Sequence, residues 1–330
     1  MRSTLRNAPG ARLPPMIAIR IVDGQPAPVE MPEPDPSTGV VVEVRSAGIC
    51  GSDLHMVDIG GADFGVTIGH EIAGVTTDGM AVAIEPLLPC GTCELCRNDA
   101  YHLCAAGGLR LLGISAPGGM AERLVVPERC LVPLAPGVDP AMASVVEPLA
   151  VAVHGAELAR INANTSVAVV GAGAIGLCAV AVAVDRGARV DLVARHDHQR
   201  SAGHRLGAGE VAGTYDIVVE TAGTASAAVT ATELVRPGGT IVMLSIHWEP
   251  TPGPGLGSWM KEVTVFHSMT YGTGTAGRDI DAAAALLARR PEIAEVLITH
   301  RFSLADVAEA FDTARDRSAG AIKVVLACGG

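Results

Sequence analysis

The stretch Ser166-Val-Ala-Val-Val170-Gly171-Ala-Gly173-Ala-Ile-Gly176-Leu-Cys-Ala-Val-Ala181 decides the fold. Val167–Val170 is a short, wholly apolar run and reads as a buried strand. Leu177–Arg186 reads as a helix, and Gly171–Gly176 is the turn between them. A Gly-x-Gly-x-x-Gly pattern alone is weak. Between a strand and a helix each glycine has its own physical role. Gly171 makes the tight turn, Gly173 lets backbone approach a pyrophosphate, and Gly176 lets the helix pack against the strand. Free N–H groups at the helix start then bind the phosphate. The alternative is a glycine-rich turn in an ordinary α/β domain.

Downstream, the alternation continues. Val190–Ala194, Asp216–Glu220, Thr240–Ser245 and Val263–Phe266 read as strands, with helices at Asp197–Leu206 and Ala225–Val235. This predicts an α/β, doubly wound parallel sheet. A site for NAD usually ends its second strand with Asp or Glu, about 20 residues past the loop. Here that strand ends Val193-Ala194-Arg195-His196, and Asp191 sits too early in it. Arg195, with His196 and Arg200 nearby, suits a 2′-phosphate and favours NADP over NAD. Otherwise the two arginines are a solvated basic edge of the following helix.

Upstream the texture changes. Residues 1–15 read as a loose leader. Met16–Val22, Val40–Val44, Gly79–Glu85 and Glu122–Val126 read as short strands, and no long helix is evident before residue 145. That half is predicted to be β-rich. A helix at Ala150–Ile161 opens the α/β half. Beyond Gly277 come helices at Asp279–Arg289 and Leu304–Arg317 and a strand at Ala321–Leu326.

Composition narrows the options. Hydrophobic residues make up 49% and charged residues 18%, enough to bury a sizeable core, so disorder is excluded. The net charge of −11 comes without any Lys/Arg-rich run, which argues against a nucleic-acid partner. No apolar run suits a membrane span and no secretory signal follows Arg2 and Arg6, so a cytoplasmic protein is expected. Disulfides are rare there. Cys90-x2-Cys93-x2-Cys96-x7-Cys104 therefore reads as one closed tetrahedral zinc site, structural in kind, within a lobe at about 88–106. Chance clustering and a redox dithiol fit the spacing less well.

A second constellation is looser: Gly48-Ile-Cys50-Gly51-Ser52-Asp53-Leu54-His55, then Gly69-His70-Glu71, then Val146-Glu147-Pro148. In this order, with the four cysteines and the glycine loop, the chain resembles the zinc-containing medium-chain dehydrogenases, from about Met16 to Leu326. That family includes alcohol, polyol, sugar and threonine dehydrogenases. The resemblance implies a chaperonin-10-like β-rich catalytic domain (1–146), a Rossmann dinucleotide-binding domain (147–274) and a return segment (275–330) completing the first. It implies two zinc ions. Cys50 and His70 bind the catalytic one with Glu71 or Glu147 as the acid, and Asp53 sits behind His70 to orient it. A zinc with an open position polarises the substrate oxygen. Ser52 takes the alcohol proton, and a relay through the cofactor ribose ends at His55. Ala222, Ser245 and Ile246 match positions lining the cofactor, and Ile175 offers a backbone N–H near the pyrophosphate.

The expected activity is hydride transfer between a secondary alcohol, polyol or sugar and NADP, by a homodimer or homotetramer. Glu147 with Glu71 is more similar to the polyol and sugar branch than to the simple-alcohol branch, whose third ligand is usually Cys. A reductase of C=N or C=C bonds shares every motif. A structural or sensing protein is the remaining alternative, and the intact Cys50, His70, Glu71 and glycine loop argue against it. Two departures stand out: the connections from His55 to His70 and from Glu71 to Val82 are short. Both border the substrate cleft, which predicts an open pocket.

Overall fold

The computed structural model describes residues 15–58, 65–104, 106, 110–248 and 255–329. All but the last residue of the expected leader lies outside them. The chain opens with a hairpin, β1 (Met16–Val22) and β2 (Gln25–Met31). Asp23 and Gly24 both have positive φ, the type I′ turn that suits a two-residue hairpin. Then follow β3 (Val40–Gly48), α1 (Gly51–Asp58), β4 (Glu71–Thr76) and β5 (Ala81–Ile84), a short helix α2 (Glu94–Arg97), β6 (Arg123–Val126) and β7 (Leu131–Pro133).

Helix α3 (Val146–Leu158) leads into the second half. It starts earlier than the expected Ala150, because Pro148 lies in its first turn, where the missing N–H costs nothing. Next come β8 (Ser166–Val170), α4 (Ala174–Asp185), β9 (Arg189–Val193), α5 (Asp197–Leu206), β10 (Gly209–Glu210), β11 (Tyr215–Glu220), α6 (Ala225–Leu234), β12 (Val235–Met243), α7 (Gly255–Met260) and β13 (Thr264–His267). A small ladder, β14 (Thr273–Gly274) with β15 (Gly277–Arg278), precedes α8 (Asp279–Arg289), α9 (Glu292–Leu297), β16 (Ile298–Ser303), α10 (Val307–Arg315) and β17 (Lys323–Ala327).

Strands β8 to β13 form a six-stranded parallel sheet in the order β10-β9-β8-β11-β12-β13. This is the doubly wound order, with the first strand central and the order of strands reversing beside it, where ligands bind in such sheets. Val167, Ala168, Val169 and Val170 are all buried, as is nearly all of α4 after its first turn, so the helix is apolar on every side and packed on every side.

The other sheet runs β16-β17-β3-β4-β5-β7, with β6 also pairing β3. It is antiparallel except for the β16–β17 pair. The C-terminal strands thus enter the sheet begun by the N-terminal half. One core runs from Ala73 and Ala83 through Leu149 and Ala150 on α3 to Val167 and Leu177, so α3 joins the two halves. Among the described residues no helix is long and apolar enough to cross a membrane.

Candidate active site

The glycine turn behaves as three different positions. Gly171 has φ +106°, a conformation side chains rarely adopt. At Gly176 a Cβ would lie 2.0 Å from the carbonyl oxygen of Gly171. At Gly173 a Cβ would meet nothing within 4 Å, so this space is open on the protein side. It lies at the N-terminus of α4, whose first N–H groups lack helical partners. Of the three, Gly173 is the one that packing does not require.

Around this turn lies a cleft of about 540 Å3, lined by Gly171, Gly173, Ile175, Arg195, His196 and Ala222 on one side. Cys50, Glu71 and Lys323 line the other. Not every expected cofactor residue reaches it. Arg200 is turned to Asp197 and the carbonyl of Ala194. Ser245 donates its hydroxyl to Glu220, and the side chain of Ile246 is exposed. Asp191 is buried, accepting from Arg189 at 2.7 Å and from the Tyr215 hydroxyl at 2.8 Å. It is thereby occupied away from the cleft, and Arg195 is the charged residue at the tip of β9.

Across the cleft, Cys50 stands at the N-cap of α1. The Cys50 N–H donates to Asp53 Oδ2 at 2.8 Å, and the Asp53 N–H donates back to the Cys50 carbonyl at 3.1 Å. This reciprocal closure is the reason for Asp three residues after Cys: it starts the helix and fixes both side chains. The other Asp53 oxygen lies 3.5 Å from His70 Nδ1 and His70 Nε2 lies 3.4 Å from Ser52 Oγ. Burial opposes a charge on the His70 imidazole, but Asp53 and the Cys50 thiol beside it outweigh this and raise its pKa. Burial raises the Asp53 carboxyl.

Glu71, at the start of β4, is buried beside Lys323 of β17. Lys323 Nζ donates to Glu71 Oε1 at 2.6 Å and to the Ile49 carbonyl at 3.0 Å. Glu71 Oε2 has no hydrogen-bond partner and occupies room left by Gly48, where a Cβ would come within 2.0 Å of it. Glu147, in the first turn of α3, is also buried, and burial with the nearby Glu71 carboxylate pushes its pKa up to about 7. A thiol, an imidazole and two buried carboxylates, one with an orphaned oxygen, are a donor set that suits zinc. The atoms are not gathered tightly. Among the described residues, only the four cysteines form a group of three or more such ligand atoms within 4.8 Å of one another.

The geometry of that lobe fits a zinc ion closely. A tetrahedron with zinc–sulfur bonds of about 2.3 Å has edges of about 3.8 Å. The sulfurs of Cys90 and Cys96 are 3.8 Å apart, Cys93 and Cys96 3.5 Å, and Cys93 and Cys104 3.9 Å. All are free thiols. N–H groups of Thr92 and Cys93 donate to the Cys90 sulfur and lower its pKa to about 5, so one ligand is already a thiolate near neutrality.

Two further residues contact the expected site residues. Lys323 is one; its partner Glu71 lies in the other half of the chain. Trp248 is the other: its indole stacks on the His55 ring, with centroids 3.7 Å apart and planes 20° from parallel. His55 itself lies on α1, next to Leu54 of the cleft wall.

Comparison with known proteins identifies the family. Residues 36–136 match the alcohol dehydrogenase GroES-like domain, and residues 140–328 match the glucose dehydrogenase C-terminus family. The chain belongs to the zinc-containing medium-chain dehydrogenases. It is 31% identical over 324 residues to 2-dehydro-3-deoxy-L-galactonate 5-dehydrogenase of Pseudoalteromonas atlantica, covering 89% of this chain and 93% of that one. It is 30% identical over 332 residues to galactitol 1-phosphate 5-dehydrogenase of Escherichia coli, covering 89% and 94%. Among solved structures, a Sinorhizobium meliloti protein described as a zinc-binding dehydrogenase and bound to NADP has a TM-score of 0.82 at 28% identity, covering 95% and 99%. The chain is thus an oxidoreductase of the alcohol dehydrogenase type.

Proposed function

We propose that this enzyme oxidises a secondary hydroxyl of a polyol or sugar derivative with NADP, and reduces the matching ketone in reverse. The observation that carries the reading is the single cleft with Cys50 and Glu71 facing Gly171–Ile175, which sets a metal-binding wall opposite a dinucleotide-binding one. The two relatives are named as acting at position 5 of their substrates, which supports an internal hydroxyl. Arg195 in the cleft wall, with Asp191 turned away, supports NADP over NAD.

In this reading Cys50, His70 and either Glu71 or Glu147 hold the catalytic zinc, and the four cysteines hold a structural one. Bound zinc would supply Lewis-acid polarisation of the substrate oxygen, and a bound nicotinamide dinucleotide would supply the hydride acceptor. Ser52, beside His70 Nε2, receives the hydroxyl proton, and His55 passes it on to solvent. Lys323 holds the Glu71 carboxylate in place through its ammonium hydrogen bond. The turn Gly171–Gly176 seats the pyrophosphate, with Ala222 nearer the rest of the dinucleotide. Residues 1–146 and 275–330 form the catalytic domain and 147–274 the nucleotide domain. A cytoplasmic homodimer or homotetramer is the state we assign, with free thiols in keeping.

The test is a panel of polyols, sugar acids and secondary alcohols, offered with NADP and with NAD to zinc-replete protein, following reduced-nicotinamide absorbance. Turnover that is abolished by Ser52→Ala is the expected result. Reduction of C=N or C=C substrates with no oxidation of any hydroxyl would overturn the reading.

A further inference from the structure

We infer that Trp248 is a positioning residue for His55, holding its imidazole from the other half of the protein. The inference rests on the proposed relay that ends at His55.

His55 belongs to α1 of the catalytic half, and Trp248 follows β12 of the nucleotide half. Their rings meet at 3.7 Å and nearly parallel. Among the described residues the His55 ring makes no hydrogen bond. A histidine that moves protons is normally held by a hydrogen bond to one ring nitrogen, which sets its orientation. Here the indole face is the named contact that limits how the ring turns, and it leaves both nitrogens free to exchange protons.

The segment carrying Trp248 is itself anchored. Glu220 ends β11 and is fully buried. Its Oε1 accepts the N–H groups of Ala222 at 2.7 Å and Gly223 at 2.9 Å. Its Oε2 accepts the Ser245 hydroxyl and lies 3.2 Å from His247 Nε2. One carboxylate therefore organises both the turn at Ala222 that lines the cleft and the segment that presents the indole. Trp248 is 54% exposed, so its own half of the protein does not bury it. The face it offers is spent on His55.

An aromatic pair of this kind is worth about 0.5–1.5 kcal/mol, or roughly a two- to twelvefold change in a rate it controls. The chain has two tryptophans, so Trp259→Phe leaves Trp248 as the sole indole emitter. In that background His55→Ala is expected to brighten Trp248 emission by removing the stacked imidazole. Unchanged emission would show that the rings do not stack in solution and overturn the inference. Trp248→Ala is expected to lower kcat by roughly two- to twelvefold with KM for NADP held, and Trp248→Phe to restore most of kcat. Wild-type kcat in Trp248→Ala, or no rescue by Phe, would equally overturn it. A protein that shows the emission change yet oxidises no hydroxyl refutes the proposed activity instead, and with it the role of His55.

Discussion

Gly173 and Gly176 stand three residues apart, and alanine at each should fail in a different way. Gly173 has φ −76° and ψ −173°, ordinary extended backbone, and its Cβ would meet no protein atom within 4 Å. Gly173→Ala should therefore change stability by no more than about 1 kcal/mol, which is roughly 4 °C in Tm for a domain of this size. The new methyl group occupies the space a pyrophosphate would use. Losing one charge-assisted hydrogen bond costs about 1.5–3 kcal/mol, so NADP affinity should fall by roughly ten- to a hundredfold. Gly176→Ala is the opposite case. Its Cβ would lie 2.0 Å from the Gly171 carbonyl oxygen and 2.8 Å from Thr221 Oγ1. The nearer atom is backbone, so α4 must shift. Overpacking of this kind costs about 1–3 kcal/mol and should lower Tm by roughly 2–12 °C without nucleotide. Thermal unfolding of the nucleotide-free protein and calorimetric titration with NADP separate the two effects. A Gly173→Ala variant that binds NADP like the wild type, or unfolds as early as Gly176→Ala, would refute the assignment of these glycines.

Arg195→Ala should weaken NADP by roughly ten- to a hundredfold while NAD changes little; equal losses measured for both would remove the 2′-phosphate assignment. Cys96→Ser should lose one zinc per chain and unfold earlier, since a structural metal contributes folding energy directly; a fully stable, inactive variant would contradict a structural role for the lobe. The Ser166 hydroxyl, Arg236 and the Ser166 N–H hold the Asp216 carboxyl down to about 2. A depressed carboxyl stabilises the fold above its unfolded pKa of about 4 and loses that contribution as pH falls toward 2. Asp216→Asn should flatten stability against pH across that window in denaturant melts, and an unchanged slope would refute it.

The nucleotide half is legible in the sequence because its strands are continuous apolar runs and its helices sit at regular intervals between them. The metal lobe is legible because four cysteines in one short segment have few other uses. Short elements are less so. Helix α1 lies on the Cys50–His55 motif, and the one local sign of it is Asp53 three residues after its cap. Strand β2 escapes the pattern although Asp23-Gly24 marks its hairpin turn. The limits of sequence reasoning show best at Arg200 and Lys323. Proximity in sequence suggests Arg200 for the cofactor, yet its guanidinium is satisfied by Asp197 and the Ala194 carbonyl. Nothing near Lys323 announces that it meets Glu71, because the encounter depends on β17 entering a sheet started nearly the whole chain earlier.

That late entry orders the birth of the enzyme. Strands β8 to β13 span residues 166–267 without interruption, so the nucleotide half can assemble while the ribosome is still at work. The end of strand β3, Ser46–Gly48, must wait with one edge unpaired until β17 arrives to meet it, an exposed edge of the sort that invites aggregation. A nascent chain released before Lys323 would bury Glu71 with no cation beside it. Completion of synthesis thus completes the packing of Glu71: the last strand brings the cation that pairs with it.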